Sequence, residues 1–290
     1  MTAAHGVDHY ENFPVASVLC PARLRPCIAA IYWFARTADD IADEGNASAQ
    51  LRLADLAAYR ADLNACAAGH VVSPRWPGIF SALGTHIAQY KLPVYLLDDL
   101  LKAFEQDVQR TAAGQWYANH DELLAYCKLS ANPVGRLLLH LYGVHEKPAL
   151  EASDAICSAL QRINFWQDAG RDAGNQRYYL PLDLMAKFNV TAQHVHALKD
   201  TASTIKLIAA CTYSAQASML KGVKLPLCVR QHMQGFDGWR ASLELRCVVQ
   251  GGLRIIEKIK ALNYQTLRQR PKLTAWDGCV VVWRAFWMHG

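Results

Sequence analysis

Apolar residues recur at intervals of three and four along most of this chain, the period of helices laid against a core. Alternating apolar and polar runs, the mark of half-buried strands, are scarce. The chain is rich in Ala and Leu, which favour helix. The pattern predicts helices over 26–44, 48–68, 93–112, 119–142, 149–172, 192–221, 238–262 and 273–288. Turn residues separate them: Gly69, Pro74 and Pro77; Gly143 to Pro148; Gly170 to Pro181; Gly235 to Gly238; Arg270-Pro271. No repeat, low-complexity tract or long linker interrupts the series. The expected fold is all-α, one domain over residues 1–290 with helices around a central apolar cavity.

Two of these helices carry polar stripes too narrow for a solvent face. On the first, Tyr32, Arg36, Asp39 or Asp40, and Asp43 share one side, while Ile28, Ile31, Trp33, Phe34 and Ile41 cover the rest. Pro26 suits its first turn. On the second, Gln161, Asn164, Asp168 and Asp172 align among Leu160, Ile163, Phe165 and Trp166. Trp33, Phe34, Phe165 and Trp166 read first as core packing. Each stripe pairs carboxylates four residues apart, at a cost of about 0.2–0.5 kcal/mol per pair. Each also lies near a helix C-terminus, with Gly45 and Gly174 read as stops, where acids oppose the helix dipole at about 0.3–1 kcal/mol. Repulsion built in twice suggests a bound cation. Hard oxygen ligands suit Mg²⁺, which shares its shell with substrate phosphates.

Arg36, Arg171 and Arg177 stand beside these acids, and guanidinium groups match phosphate oxygens. Cation and arginine together would stabilise departing diphosphate. The carbocation left behind needs a dry, aromatic-lined pocket. Asp98-Asp99 and Glu105-Gln106-Asp107 read as surface charge, with a role near the diphosphate open to Asp107.

Composition narrows the alternatives. An apolar share of 52% excludes a disordered chain. Nine scattered cysteines without a CxxC pair fit a reducing compartment and argue against zinc. The absence of ExxH argues against a di-iron bundle. No basic-aromatic array points to nucleic acid. A net charge of +5 suits anionic lipid or diphosphate. The N-terminus has no basic-then-apolar signal, and no run approaches the ~18–20 uncharged residues of a span. The C-terminal stretch from Gly278 to Met288, with Trp283, Phe286 and Trp287, reads as a core helix or a peripheral membrane contact.

At these residues the chain resembles the squalene/phytoene synthase family. The likeness rests on Tyr32…Arg36-Thr37-Ala38-Asp39-Asp40-Ile41-Ala42-Asp43-Glu44 and on Asn164-Phe165-Trp166-Gln167-Asp168…Asp172…Arg177-Tyr178-Tyr179-Leu180-Pro181. It implies an isoprenoid synthase fold and roughly two or three Mg²⁺ ions held through Asp39, Asp43, Asp168 and Asp172, with Asn164 assisting. It places Tyr32, Arg36, Arg177 and Tyr179 near the diphosphate. The stretches Glu11 to Ser17, Tyr32 to Arg36 and Ser130 to Arg136 resemble the family's water-capturing branch, which serves bacterial hopanoid synthesis. That branch implies presqualene diphosphate as substrate, hydroxysqualene as product and no NADPH. The chain also lacks a GxGxxG-type signature. The implied partners are a prenyl diphosphate lipid, a membrane touched peripherally and other enzymes of the hopanoid pathway. The expected place is the cytoplasm, either free or peripheral at the inner face of the cell membrane.

Departures from the family pattern sharpen the reading. Gln167 stands where Arg is common before the first aspartate of the second motif, and Arg171 where Glu is frequent before the last. The pair moves a cation four positions. Asn132, with Glu11 or Asn12, is expected to hold the capturing water; the plainer reading has Asn132 capping a helix break before Pro133. The rival chemistry is condensation of two prenyl diphosphates to presqualene diphosphate or phytoene. A rival of another class is a non-catalytic binding or assembly protein, which has little reason to keep the repelling acids.

Overall fold

A computed structural model describes residues 18–288. Among them every regular element is a helix. In chain order these are α1 (Arg25–Asp43), α2 (Ala49–Ala67), α3 (Pro77–Tyr90), α4 (Val94–Ala113), α5 (His120–Ser130), α6 (Asn132–Tyr142) and α7 (Lys147–Gln167). There follow α8 (Ala169–Gly174), α9 (Leu182–Lys187), α10 (Ala192–His196), α11 (Ala202–Lys221), α12 (Leu225–His232), α13 (Gly235–Ala261) and α14 (Ala275–Trp287). The all-α expectation holds, and five of the predicted helices end within a few residues of α1, α2, α4, α13 and α14.

The other three predicted helices are each divided. The 119–142 segment breaks at Ala131, because Pro133 has no N–H to continue the helical ladder and its ring crowds the preceding turn. The 149–172 segment kinks at Asp168, where α7 ends and α8 begins. The ladder survives the kink: Asp168 N–H donates to Asn164 O and Asp172 N–H to Asp168 O, both at 2.8 Å. The two acids therefore stay one turn apart. The 192–221 segment splits into α10 and α11, with Thr201 capping the second.

Helices α3, α9 and α12 were not expected. For α3 the reason is visible: Pro77 was read as a turn residue, but proline in a first turn starts a helix, as Pro226 also does in α12. The stop signals also differ. Gly45 follows α1 with φ +73°, as expected, whereas the left-handed residue after α8 is Gln176, with φ +59°, not Gly174.

Helix α7 is central, packed against α11, α6 and α13. Around it lies one continuous core that includes Phe34, Tyr59, Phe80, Leu97, Ile163 and Trp166. Of the four aromatics read as core, Phe34, Phe165 and Trp166 are buried there. Trp33 is not; it is 42% exposed. All nine cysteines are free.

Candidate active site

Helices α1, α6, α7 and α13 enclose a cavity of about 410 Å³. Its wall is mostly apolar, including Ile31, Phe104, Leu138, Leu160 and Val248. Of the two polar stripes, Tyr32, Arg36 and Asp39 on α1 line it beside Ile28 and Ile31, whereas Asp43 and the second stripe of Gln161, Asn164, Asp168 and Asp172 do not. Polar groups that sequence reasoning missed also line it: Ser153 and Cys157 on α7 and Glu244 on α13.

The acids at the end of α1 are clasped by arginine. Arg36 reaches Asp39 at 3.1 Å, Asp40 at 2.6 Å and Glu44 at 2.9 Å. Arg177, on the loop after α8, forms a close ion pair with Asp43. Its own N–H donates to Asp172 O at 2.8 Å. This one residue joins both acidic motifs, which lie far apart in sequence.

The second motif is clasped as well. Arg270, on the segment between α13 and α14, takes both oxygens of buried Asp168, its Nη2 lying 3.1 Å from Oδ2. Arg171 is 4.0 Å from the same carboxylate and largely in solvent. Sequence reasoning missed Arg270, which looked like part of a turn. Gly170 allows this approach: a Cβ there would lie 2.0 Å from Leu267 O, and its N–H donates to Thr266 O at 3.3 Å.

Crowded carboxylates hold their protons longer. Burial and the charge of Asp43 raise Asp39 to about 6. Burial and the charge of Asp168 raise Asp172 to about 7. Asp107 joins the group from α4. Burial raises it to about 7, although Tyr126 donates to it at 2.7 Å and Arg177 lies near. Its open role in the sequence thus becomes a place beside both motifs. Asp98 and Glu105 instead bind Arg60 at 2.6 Å each, and Asp99 binds Lys102 at 2.9 Å.

Tyr179 stacks on Phe165, centroids 3.8 Å apart, and with Asp172 and Arg177 borders a separate crevice of only about 10 Å³. Asn164 is half-buried on the last turn of α7. Asn132 departs from expectation. It is buried as the first residue of α6, does not line the cavity, and its Oδ1 accepts from Ser158 Oγ at 2.8 Å. Its side chain is committed to the α6–α7 contact, so it is placed to fasten helices and not to hold water in the cavity. Neither does it cap: Ala131 is the N-cap residue. Glu11 and Asn12, the other expected water holders, lie outside the described residues.

The donor set suits a hard cation. The carboxylates of Asp39 and Asp43 and of Asp168 and Asp172 are crowded, and Arg36, Arg177 and Arg270 balance them. Among the described residues no three acidic, histidine or cysteine ligands converge on one point. Mg²⁺ takes one or two carboxylates and completes its shell with water and phosphate, so the residues fit it. Chemically, the arrangement sets Arg36 and Asp39 at the edge of a mostly apolar cavity, with Arg177 linking them to the second acidic motif through Asp43.

Comparison with known proteins bears on the family and the fold. The sequence model for squalene/phytoene synthase matches residues 7–277. A hydroxysqualene synthase of Zymomonas mobilis subsp. mobilis is 40% identical over 183 residues, which is 63% of this chain and 58% of that protein. A hydroxysqualene synthase of Sinorhizobium fredii is 29% identical over 265 residues, covering 91% of this chain and 84% of that protein. The crystal structure of squalene synthase HpnC from Alicyclobacillus acidocaldarius superposes with a TM-score of 0.76 at 32% identity, covering 88% of this chain and 90% of that one.

Proposed function

The chain belongs to the squalene/phytoene synthase family, all-α isoprenoid synthases acting on prenyl diphosphates, and from that premise we propose that it converts presqualene diphosphate to hydroxysqualene. The observation that carries the reading is the junction of Arg36 and Asp39 with the apolar cavity, a diphosphate mouth on a hydrocarbon room. The relatives named hydroxysqualene synthase support water capture over condensation.

In this reading Asp39 and Asp43 on one side, and Asp168, Asp172 and Asn164 on the other, hold Mg²⁺. The bound ions supply Lewis-acid stabilisation of the leaving diphosphate. Arg36, Arg171 and Arg177 receive its oxygens, and Tyr32 and Tyr179 flank them. The guanidiniums that balance carboxylates before substrate arrives thus have a second partner in the phosphate. Cleavage of the C–O bond sends its electron pair to diphosphate and leaves a cyclopropylcarbinyl cation. The apolar wall keeps bulk water away while the cation rearranges. One water oxygen then bonds to carbon and gives up a proton, which yields the alcohol. No hydride moves, so no nicotinamide is needed. A lipid substrate and product make a peripheral seat at the cytoplasmic membrane face, and contact with hopanoid-pathway enzymes, part of the same reading.

The test is a product assay. Purified protein receives presqualene diphosphate or farnesyl diphosphate separately, with Mg²⁺ and without NADPH, and extracts are analysed by mass spectrometry. Hydroxysqualene from the first and no turnover of the second is the expected result. Conversion of farnesyl diphosphate to a cyclopropyl diphosphate would assign the condensing reaction instead.

A further inference from the structure

Helix α14 turns one face inward and leaves the other bare. Asp277, Val281 and Ala285 are buried against α13, while Trp276, Trp283 and Trp287 are 73%, 65% and 63% exposed. The bare face is continuous with the start of α13. Trp283 and Trp287 lie 5.7 Å apart between ring centroids, Phe286 is 6.3 Å from Trp239, and Trp239 stacks on exposed Phe236 at 5.6 Å. Large exposed apolar residues usually stand singly, and a connected aromatic patch marks an interaction surface.

We propose that this face seats the protein on an anionic lipid bilayer, with the apolar end of the cavity beside the seat. Three observations choose lipid over other occupants. The first is residue type: tryptophan is the side chain of the membrane–water interface, where an apolar ring and a polar N–H are both served.

The second is charge. Segments 18–27 and 235–250, which adjoin the patch, carry Arg23, Arg25, Arg240 and Arg246 against Asp237 and Glu244. Arg25 and Arg240 are fixed there by the carbonyls of Val18 and Cys20, and Arg240 lies 5.6 Å from the Phe236 ring centroid. Positive charge set among aromatics complements anionic headgroups.

The third is continuity. Glu244, Leu245 and Val248 on α13 line the cavity, and Trp239 stands five residues before Glu244, about 7.5 Å along the same helix. At 13 residues α14 is short of the ~20 a span requires, so it would lie in the interface plane. The functional sense of this placement, an apolar chain passing between bilayer and cavity, rests on the isoprenoid reading; the seat itself does not.

Vesicle cosedimentation of the full-length protein tests the seat, with phosphatidylcholine alone and with phosphatidylglycerol added. Binding to the anionic vesicles, weakened by salt, is expected. The combined variant Trp276→Gln, Trp283→Gln and Trp287→Gln should partition about tenfold less, while its diphosphate release from detergent-dispersed presqualene diphosphate stays within about twofold. If that variant fails to fold, brominated lipids decide on the wild type, whose tryptophan fluorescence they should quench. No binding by the wild type, undiminished binding by the folded variant, or no quenching would overturn the proposal. So would a dimer, seen by light scattering, that dissociates in the variant, since a second copy would then cover the face. Vesicle binding by a protein inactive on presqualene diphosphate would uphold the seat and refute the reaction.

Discussion

Gln167 donates from its side-chain amide to the carbonyl of Pro271 at 2.7 Å, and the residue before that proline, Arg270, holds Asp168. The family's usual arginine at position 167 would sit next to the aspartate in sequence. Here a buried glutamine anchors a distant loop that delivers the cation.

Replacing Arg270 with Ala should therefore slow diphosphate release by about a hundredfold, the cost of one preorganised charged donor. Gln167→Ala leaves Arg270 in place but loosens its loop, and about a tenfold loss is expected. Steady-state kinetics with a coupled diphosphate assay checks both. Equal activity of Arg270→Ala and wild type would remove Arg270 from the site.

Arg177 and Asp43 form the one side-chain ion pair described between the two motifs. Arg177→Gln and Asp43→Asn should each lower diphosphate release by about two orders of magnitude. Groups acting as a unit are not additive, so the double variant should fall little below the worse single one. A double variant showing the product of the two losses would mean the residues act separately.

Asn132 is expected to act on stability first. Its Oδ1 accepts from Ser158 in a buried contact, and Asn132→Ala leaves that hydroxyl unpaired. A loss of about 1–3 kcal/mol in urea unfolding follows. The ratio of alcohol to hydrocarbon products should stay the same. A shifted ratio at unchanged stability would return Asn132 to the water-holding role first read from the sequence.

Asp277 supplies the pH dependence. Burial pushes its carboxyl up, but Lys258, Thr274 and Arg254 outweigh that and hold it well below the usual carboxylate range. A group depressed in the folded state stabilises above its unfolded pKa, near pH 4, and that stability is lost as pH falls toward the folded value. Wild-type stability should therefore fall below about pH 4, and the Asp277→Ala variant should show a shallower fall. At neutral pH the variant should lose about 3 kcal/mol, because Lys258 loses its carboxylate partner and Arg254 is left with Glu257 alone. Urea melts across the acid range measure both effects.

The sequence by itself determined the helices and the inventory of chemistry. A period of three to four with few strand signals leaves helix packing as the way to bury 52% apolar residues. Carboxylates four apart share a helix face whatever the surroundings, which is why Asp39 with Asp43 and Asp168 with Asp172 were legible as pairs. The same local logic exposed the inward stripe of Tyr32 and Arg36. Local pattern misread a proline at a helix start as a break, and it could not see which helices cross.

Tertiary structure decided the partners. Arg270 meets Asp168, Arg177 meets Asp43, and Asp107 comes in from α4, all through contacts between residues distant in the chain. It also turned Asn132 toward Ser158 and away from the cavity, and left the tryptophans of α14 uncovered. Periodicity fixes the face of a helix on which a residue lies. What that face meets depends on how the whole set of helices packs, and ion pairs and buried hydrogen bonds are settled only there.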